Sequence, residues 1–207
     1  MSVPRMHDYL VACGRDSRSA LDLYRWNTHI SAAFWETLSY AEIAFRNAMA
    51  ERLAQRHQRL QRRGTWLDDP ACELDVRARE DICKARKRVR QKKKAPSDGQ
   101  TIAELTFGFW RFLLAKQYAT NLWPDLAAAF PGAQRNRARV EQPVSELHEF
   151  RNRLAHHEPT WNKDLRARLH DLEILLTYLD PGLQHRVTSS CRVRAALTTC
   201  PVTRPYR

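Results

Sequence analysis

The stretch Glu146-Leu-His-Glu-Phe-Arg-Asn-Arg-Leu-Ala-His-His-Glu-Pro159 brings an arginine, a carboxamide and adjacent histidines together in one run. Read as a helix, it places Leu147, Phe150 and Leu154 at i, i+3 and i+7. They form a core stripe that His157 continues. Glu149, Asn152 and His156 form a second, polar stripe at the same spacing. On this geometry His157 leans toward packing and His156 stands over Asn152, with the long Arg151 side chain able to swing toward His156. Phosphodiester transfer would use such a set. Histidine titrates near neutrality and can give or take a proton. Arginine offers a planar fork of donors to phosphate oxygens and to the charge that builds on them. Asn152 could fix the imidazole tautomer. The same residue types also suit the plain end of a helix, where cations cap carbonyls and complement the dipole. Spacing alone leaves both readings open.

Elsewhere the chain offers little rival chemistry. Its five cysteines (Cys13, Cys72, Cys83, Cys191, Cys200) are odd in number and scattered, with no zinc spacing, so they read as thiols of a reducing compartment. No metal, no cofactor, no nucleophilic Ser or Cys constellation and no phosphate-cradling glycine loop is expected. Glu42 and Arg46 lie at i, i+4 and can pair along a helix, with Asn47 beside them. Trp35, Trp110, Trp123 and Phe109 sit among apolar helical neighbours and read as core rather than as base-stacking platforms.

The charge is uneven. Lys and Arg number 35 against 23 Asp and Glu, a net charge of +12. Eight of these cations (Lys84, Arg86, Lys87, Arg88, Arg90, Lys92, Lys93, Lys94) crowd an acid-free run. Five arginines lie in residues 186–207, also without an acid. What remains is near neutral. A basic segment on a neutral body suggests a polyanion, RNA before a membrane surface, although such a run can also be a solvated helix face.

The elements that must position these residues read as helices throughout. Six glycines in 207 residues are few for a turn-rich β fold, and five of them stand where periodic segments stop. No apolar run reaches the length needed to span a bilayer, and MSVPRMHDYL lacks the apolar core of a secretory signal, so a cytoplasmic protein is expected. A short helix from Pro4 to Gly14 leads to a cap at Asp16 or Ser17. A helix of forty-odd residues then runs to Arg63, long enough to allow a bend, with Leu23, Trp26, Ile30, Phe34, Leu38, Ala41, Phe45, Ala48 and Leu53 as its stripe. Trp66–Pro70 reads as a loop. A polar helix spans Asp75–Lys94, followed by helices over Thr101–Tyr118, a short one from Trp123, Asn136–His157 with a local bend at Pro143, and Lys163–Leu179. Gly108, inside the Thr101 helix, predicts a close helix neighbour. The expected organisation is one all-α domain over residues 1–183, with a basic segment and loop at 84–99, and a basic, disordered tail over 184–207.

Four words in order, EIAFRNAM, LTFGFWRFLL, YATNLWPDLAAAF and FRNRLAHHEP, resemble the bacterial Abi-like (abortive-infection) family of the HEPN superfamily, across residues 5 to 180. The resemblance implies an antiparallel HEPN-type helical bundle with a long N-terminal helix. RNRLAHH matches the superfamily's Arg-x4–6-His motif with Asn directly after Arg, which implies Arg151 and His156 as catalytic and Asn152 as their polar support. It also implies that the Glu42/Arg46 patch faces the motif helix, where Glu42 could orient Arg151, although a plain intrahelical pair with Arg46 stays open. Thr160 stands where the family leads one to expect an aliphatic residue. The implied activity is metal-independent RNA cleavage through the substrate's own 2′-hydroxyl, by a homodimeric bacterial defence effector of toxin type, which an antitoxin could restrain. The alternative is a module of the same fold that holds a non-coding RNA through the basic run while its nuclease motif is silent. A purely structural helical interaction protein is a third reading.

Overall fold

The computed structural model describes residues 3–92 and 97–202, and every regular element among them is helical. Helix α1 spans Val3–Ala12, and the chain reverses through Gly14 and Arg15, both in the left-handed region. Asp16 then caps α2, its carboxylate accepting from the Ser19 N–H at 2.8 Å. Helix α2 runs unbroken over Ser17–Arg59, 43 residues, and is the axis of the molecule, touching α1 and most of the later helices. Its expected stripe is buried, except that Met49 fills the place between Phe45 and Leu53 while Ala48 is only half-buried.

After a capped 3₁₀ turn at Trp66–Asp68, α3 covers Val76–Gln91 behind an Asp75 cap. Only Ala78, Ile82, Ala85 and Val89 of it are buried, the narrow stripe its sequence suggests. Lys93 and Lys94 lie outside the described residues. The helix expected over Thr101–Tyr118 is two: α4 (Asp98–Glu104) and α5 (Phe107–Phe112). Leu105 and Thr106 are extended between them, and the Thr106 hydroxyl caps α5 by accepting from Phe109 N–H. A short α6 (Trp123–Leu126) and two 3₁₀ turns lead to α7, Arg137–Ala155, with Pro143 inside it. Gly108 is where α5 meets α7: a Cβ there would lie 3.1 Å from His148 Nε2.

Helix α8 (Leu165–Leu179) packs on α7 and α2. The disordered tail expected from residue 184 is corrected by two further helices, α9 (Pro181–Ser189) and α10 (Val193–Thr198). Asp180-Pro-Gly, read as a stop, is also a start: Asp180 caps α9 and Pro181 takes the first-turn position. Val187, Val193 and Ala196 are buried, and Trp26 Nε1 donates to the Ala196 carbonyl at 2.8 Å. Residues 203–207 lie outside the described residues. All five cysteines are thiols, and no helix among the described residues is long and apolar enough to cross a membrane.

Candidate functional site

The C-terminal end of α7 is closed by a pair of backbone bonds. His157 N–H donates to Leu154 O at 3.1 Å and Glu158 N–H to Arg153 O at 2.9 Å, with His157 in the left-handed conformation at φ 53°. This is the crossed closure of a helix end that glycine usually makes. It rotates the chain before the stripe can continue, so the expectation that His157 packs in the core is corrected: His157 is exposed. Its carbonyl is held by Arg5 Nη2 at 2.7 Å, which ties α1 to the end of α7. His156, the residue just before it, is exposed as well, and its N–H donates to Asn152 O at 3.0 Å.

The Asn152 carboxamide does not support His156. Its Nδ2 stands 3.5 Å from Nε2 of His148, one turn back along α7. Nothing in its sequence position singles out His148. Burial pushes its pKa down, helped by the nearby Arg111 and Arg151 guanidiniums, so the neutral imidazole is favoured. Its Nδ1 is buried without a hydrogen bond.

Arg151 leaves α7 on the other side and reaches α2. Its Nε is 3.5 Å from Glu42 Oε2, and its guanidinium carbon is 5.3 Å from the centroid of the Trp35 ring. The 3.5 Å contact is an ion pair without hydrogen-bond geometry, and Arg151 Nε is buried without a hydrogen-bond partner. Glu42 therefore faces Arg151. The intrahelical Glu42–Arg46 pair is not formed, because Arg46 Nε donates instead to Asn47 Oδ1 at 3.2 Å. Trp35, expected in the core with Trp110, Trp123 and Phe109, is 43% exposed, while the other three are buried.

Trp35, Arg151 and His157 line one open groove of about 920 Å³ between α2 and the end of α7. His156 and Asn152 do not line it. The structure thus brings together Glu42, Arg151, Trp35 and His157, and leaves the exposed His156, between the lining residues Ala155 and His157, outside the lining. Thr160 explains itself here. It is fully buried, and its N–H and hydroxyl both donate to Asn27 Oδ1, at 2.8 and 3.1 Å. An aliphatic residue would leave that clamp between α2 and the segment after α7 half made.

The basic run behaves differently from its sequence. Lys84 pairs with Glu80 and Asp81, Arg86 with Asp68, and Arg88 and Lys92 both with Glu104. Lys87 and Arg90 are exposed and make no ion pair among the described residues. Also among the described residues, no three His, Cys, Asp or Glu side chains come together as a metal-holding group.

The family described as Abi-like protein matches residues 4–162, most of the chain. No curated protein and no solved structure matches it.

Proposed function

This chain belongs to the Abi-like protein family, and from that premise we propose that it is a metal-independent endoribonuclease of bacterial antiphage defence. The observation that carries the reading is the placement of Arg151. Arg151 lines an open groove between a carboxylate and an indole, its side chain is partly exposed, and its two terminal nitrogens make no hydrogen bond among the described residues, so they can meet an anion that the protein itself does not supply.

In this reading the Arg151 guanidinium binds the scissile phosphate and the charge that grows on its oxygens. An imidazole accepts the proton of the substrate's 2′-hydroxyl as that oxygen attacks phosphorus. A second imidazole gives a proton to the departing 5′-oxygen, leaving a 2′,3′-cyclic phosphate and a 5′-hydroxyl. His156 is the assigned proton carrier, and His157 supports it from the groove side. Two copies of the chain related by a two-fold would face His156 with its counterpart and supply both carriers. The exposed Tyr40 and Ile43 on α2 give that association apolar surface.

The test is cleavage of total RNA by the purified protein beside His156→Ala and Arg151→Ala, with and without excess chelator. Cyclic-phosphate ends produced by the wild type in chelator, and lost in both variants, are the expected result. Activity that vanishes in chelator and returns with magnesium would overturn the mechanism, and RNA bound but never cut would point to the silent binding module.

A further inference from the structure

The groove beside Arg151 holds a second aromatic ring. Tyr24 lies three turns before Trp35 on α2, about 16 Å away along the axis. Each ring carries an arginine: Arg151 over Trp35 at 5.3 Å and Arg5 over Tyr24 at 5.9 Å. Between the rings α2 contributes only Asn27, Thr28, Ser31 and Ala32, so the floor stays low.

The acids on the groove are already committed elsewhere. Glu36 is held by Arg192 at 2.6 Å and Glu158 by Arg153 at 2.8 Å. Glu42, which pairs with Arg151 at 3.5 Å, does not line the groove, so the cations that face a ligand there are Arg5 and Arg151. Asn27 adds a directed donor. It is 8% exposed, and its Oδ1 accepts from Thr160 N–H, Thr160 hydroxyl and Trp161 N–H. Those three bonds fix which way the carboxamide points. Its NH₂ end makes no hydrogen bond among the described residues and is available to the groove that Asn27 lines.

Two rings set apart along the groove, each with a cation beside it, match two bases of one strand, each with a phosphate next to it. A base can reach such a ring only when it is out of a duplex, because paired bases present their edges and not their faces. We propose that this groove is a track for unpaired RNA, in which Trp35 is the stacking platform for the base next to the phosphate on Arg151 and Tyr24 takes a further base. The proposal rests on the nuclease reading for its choice of polymer, and it makes Trp35 a substrate-positioning residue that selects single strands.

The probe is a fluorescein-labelled 2′-O-methyl oligoribonucleotide, which lacks the attacking hydroxyl and stays intact, offered to the full chain as a single strand and as its duplex. The wild type is expected to prefer the single strand. Trp35→Ala should weaken that binding roughly tenfold or more, a typical loss for one stacked base. Trp35→Phe should restore most of it, and duplex binding should not distinguish the three proteins. Asn27→Ala should weaken single-strand binding by a smaller factor. Because Trp35 is exposed, melting temperatures are expected to agree between wild type and Trp35→Ala.

Equal single-strand affinity for wild type and Trp35→Ala, or a wild-type preference for duplex, would overturn the proposal. So would a change in particle mass on Trp35→Ala in the absence of RNA, which would show that a second copy covers the ring. Cleavage of natural RNA is read separately. Single-strand binding that depends on Trp35 in a protein that never cuts RNA would sink the nuclease and keep the track. Cutting that ignores Trp35 would do the reverse.

Discussion

Helix α3 and the end of α7 both concentrate cations, and they handle them in opposite ways. On α3 the acids come from close by: Glu80 and Asp81 on the same helix, Asp68 in the turn before it, Glu104 at the end of α4. Arg86 donates to Asp68, and Arg88 and Lys92 to Glu104, while Lys84 stands within 3.6 Å of both its acids, so much of a dense positive run becomes a way of fastening α3 to α4 and to the turn before it. At the end of α7 Arg153 closes on Glu158 at 2.8 Å, but Arg151 meets its carboxylate at 3.5 Å, without a hydrogen bond, on the wall of an open groove. Charge density along a sequence thus says less about a ligand site than the completeness of each charge's pairing. A guanidinium with satisfied partners has its interaction energy inside the protein. One whose terminal nitrogens stand on an open groove without a hydrogen bond has it to offer.

The largest effect should come from the end of α7. Arg151→Ala and His156→Ala are each expected to lower RNA cleavage by about 10²-fold or more, the range for removing a transition-state donor or a proton carrier. Circular dichroism should show the fold intact, since neither side chain is in the core. Arg151→Lys should recover little, because a point charge cannot reproduce a planar fork set against an indole. Comparable losses from neutralising Arg86 or Arg88, with the fold retained, would erase the contrast between the two regions.

Much of the fold is legible in the sequence, and the parts that are not have definite causes. The α2 stripe from Leu23 to Leu53 is readable because one helix with one buried face repeats one period. Gly108 marks its close neighbour correctly, and Glu42 facing Arg151 is among the readings that the sequence leaves open. The misses share a form: a local device interrupts a period that the bare sequence continues. Thr106 splits an apolar run by capping a new helix inside it. The left-handed turn at His157 ends α7 before its stripe can carry that residue inward. Asp180-Pro-Gly both ends and begins a helix. Trp35 follows the buried Phe34 by one position, a rotation of about 100° that moves a large apolar side chain from core to groove. The Asn27–Thr160 clamp joins residues far apart in the chain, and nothing local to either marks it.

A smaller effect belongs to the satisfied kind of site. Glu73 sits between Arg56 and Arg62, and its pKa falls from the ordinary 4.5 to about 2, chiefly through the hydrogen bond from Arg62 and against the opposing effect of burial. A depressed carboxylate stabilises the fold fully above its unfolded value and loses that contribution as pH falls through the folded one. Thermal stability should therefore drop between about pH 4.5 and 2, by roughly 1–2 kcal/mol once solvent screening is allowed for. Glu73→Gln should melt lower at neutral pH and show a shallower acid slope. An unchanged slope would mean that these arginines are not the settled partners their geometry describes.

His157 tests the boundary between structure and chemistry within α7 itself. Its left-handed backbone strains a side chain in a way that glycine avoids. His157→Gly keeps the carbonyl bonded to Arg5 and should raise stability by about 0.5–1 kcal/mol, a gain of roughly 1–4 °C in melting temperature. A core histidine would instead destabilise clearly on the same change. Cleavage should fall by less than in His156→Ala, since His157 supports the reaction from the groove side.

The smallest effect is reserved for α3. If pairing completeness decides which cations can serve a ligand, Lys87 and Arg90 are the members of the described run still able to meet RNA. Replacing both with Gln should reduce the slope of log binding constant against log salt by about 0.7 for each single-strand phosphate no longer neutralised, and leave the rate at saturating RNA unchanged. Arg86→Gln and Arg88→Gln should do the opposite: they break pairs with Asp68 and Glu104, so they should lower the melting temperature with little change in salt slope. The four substitutions share one helix and nearly one charge change, so only the partner each cation has in the fold separates the two outcomes. An equal slope change for all four would show that the run acts on RNA as undivided charge, and that its ion pairs open readily when a polyanion arrives.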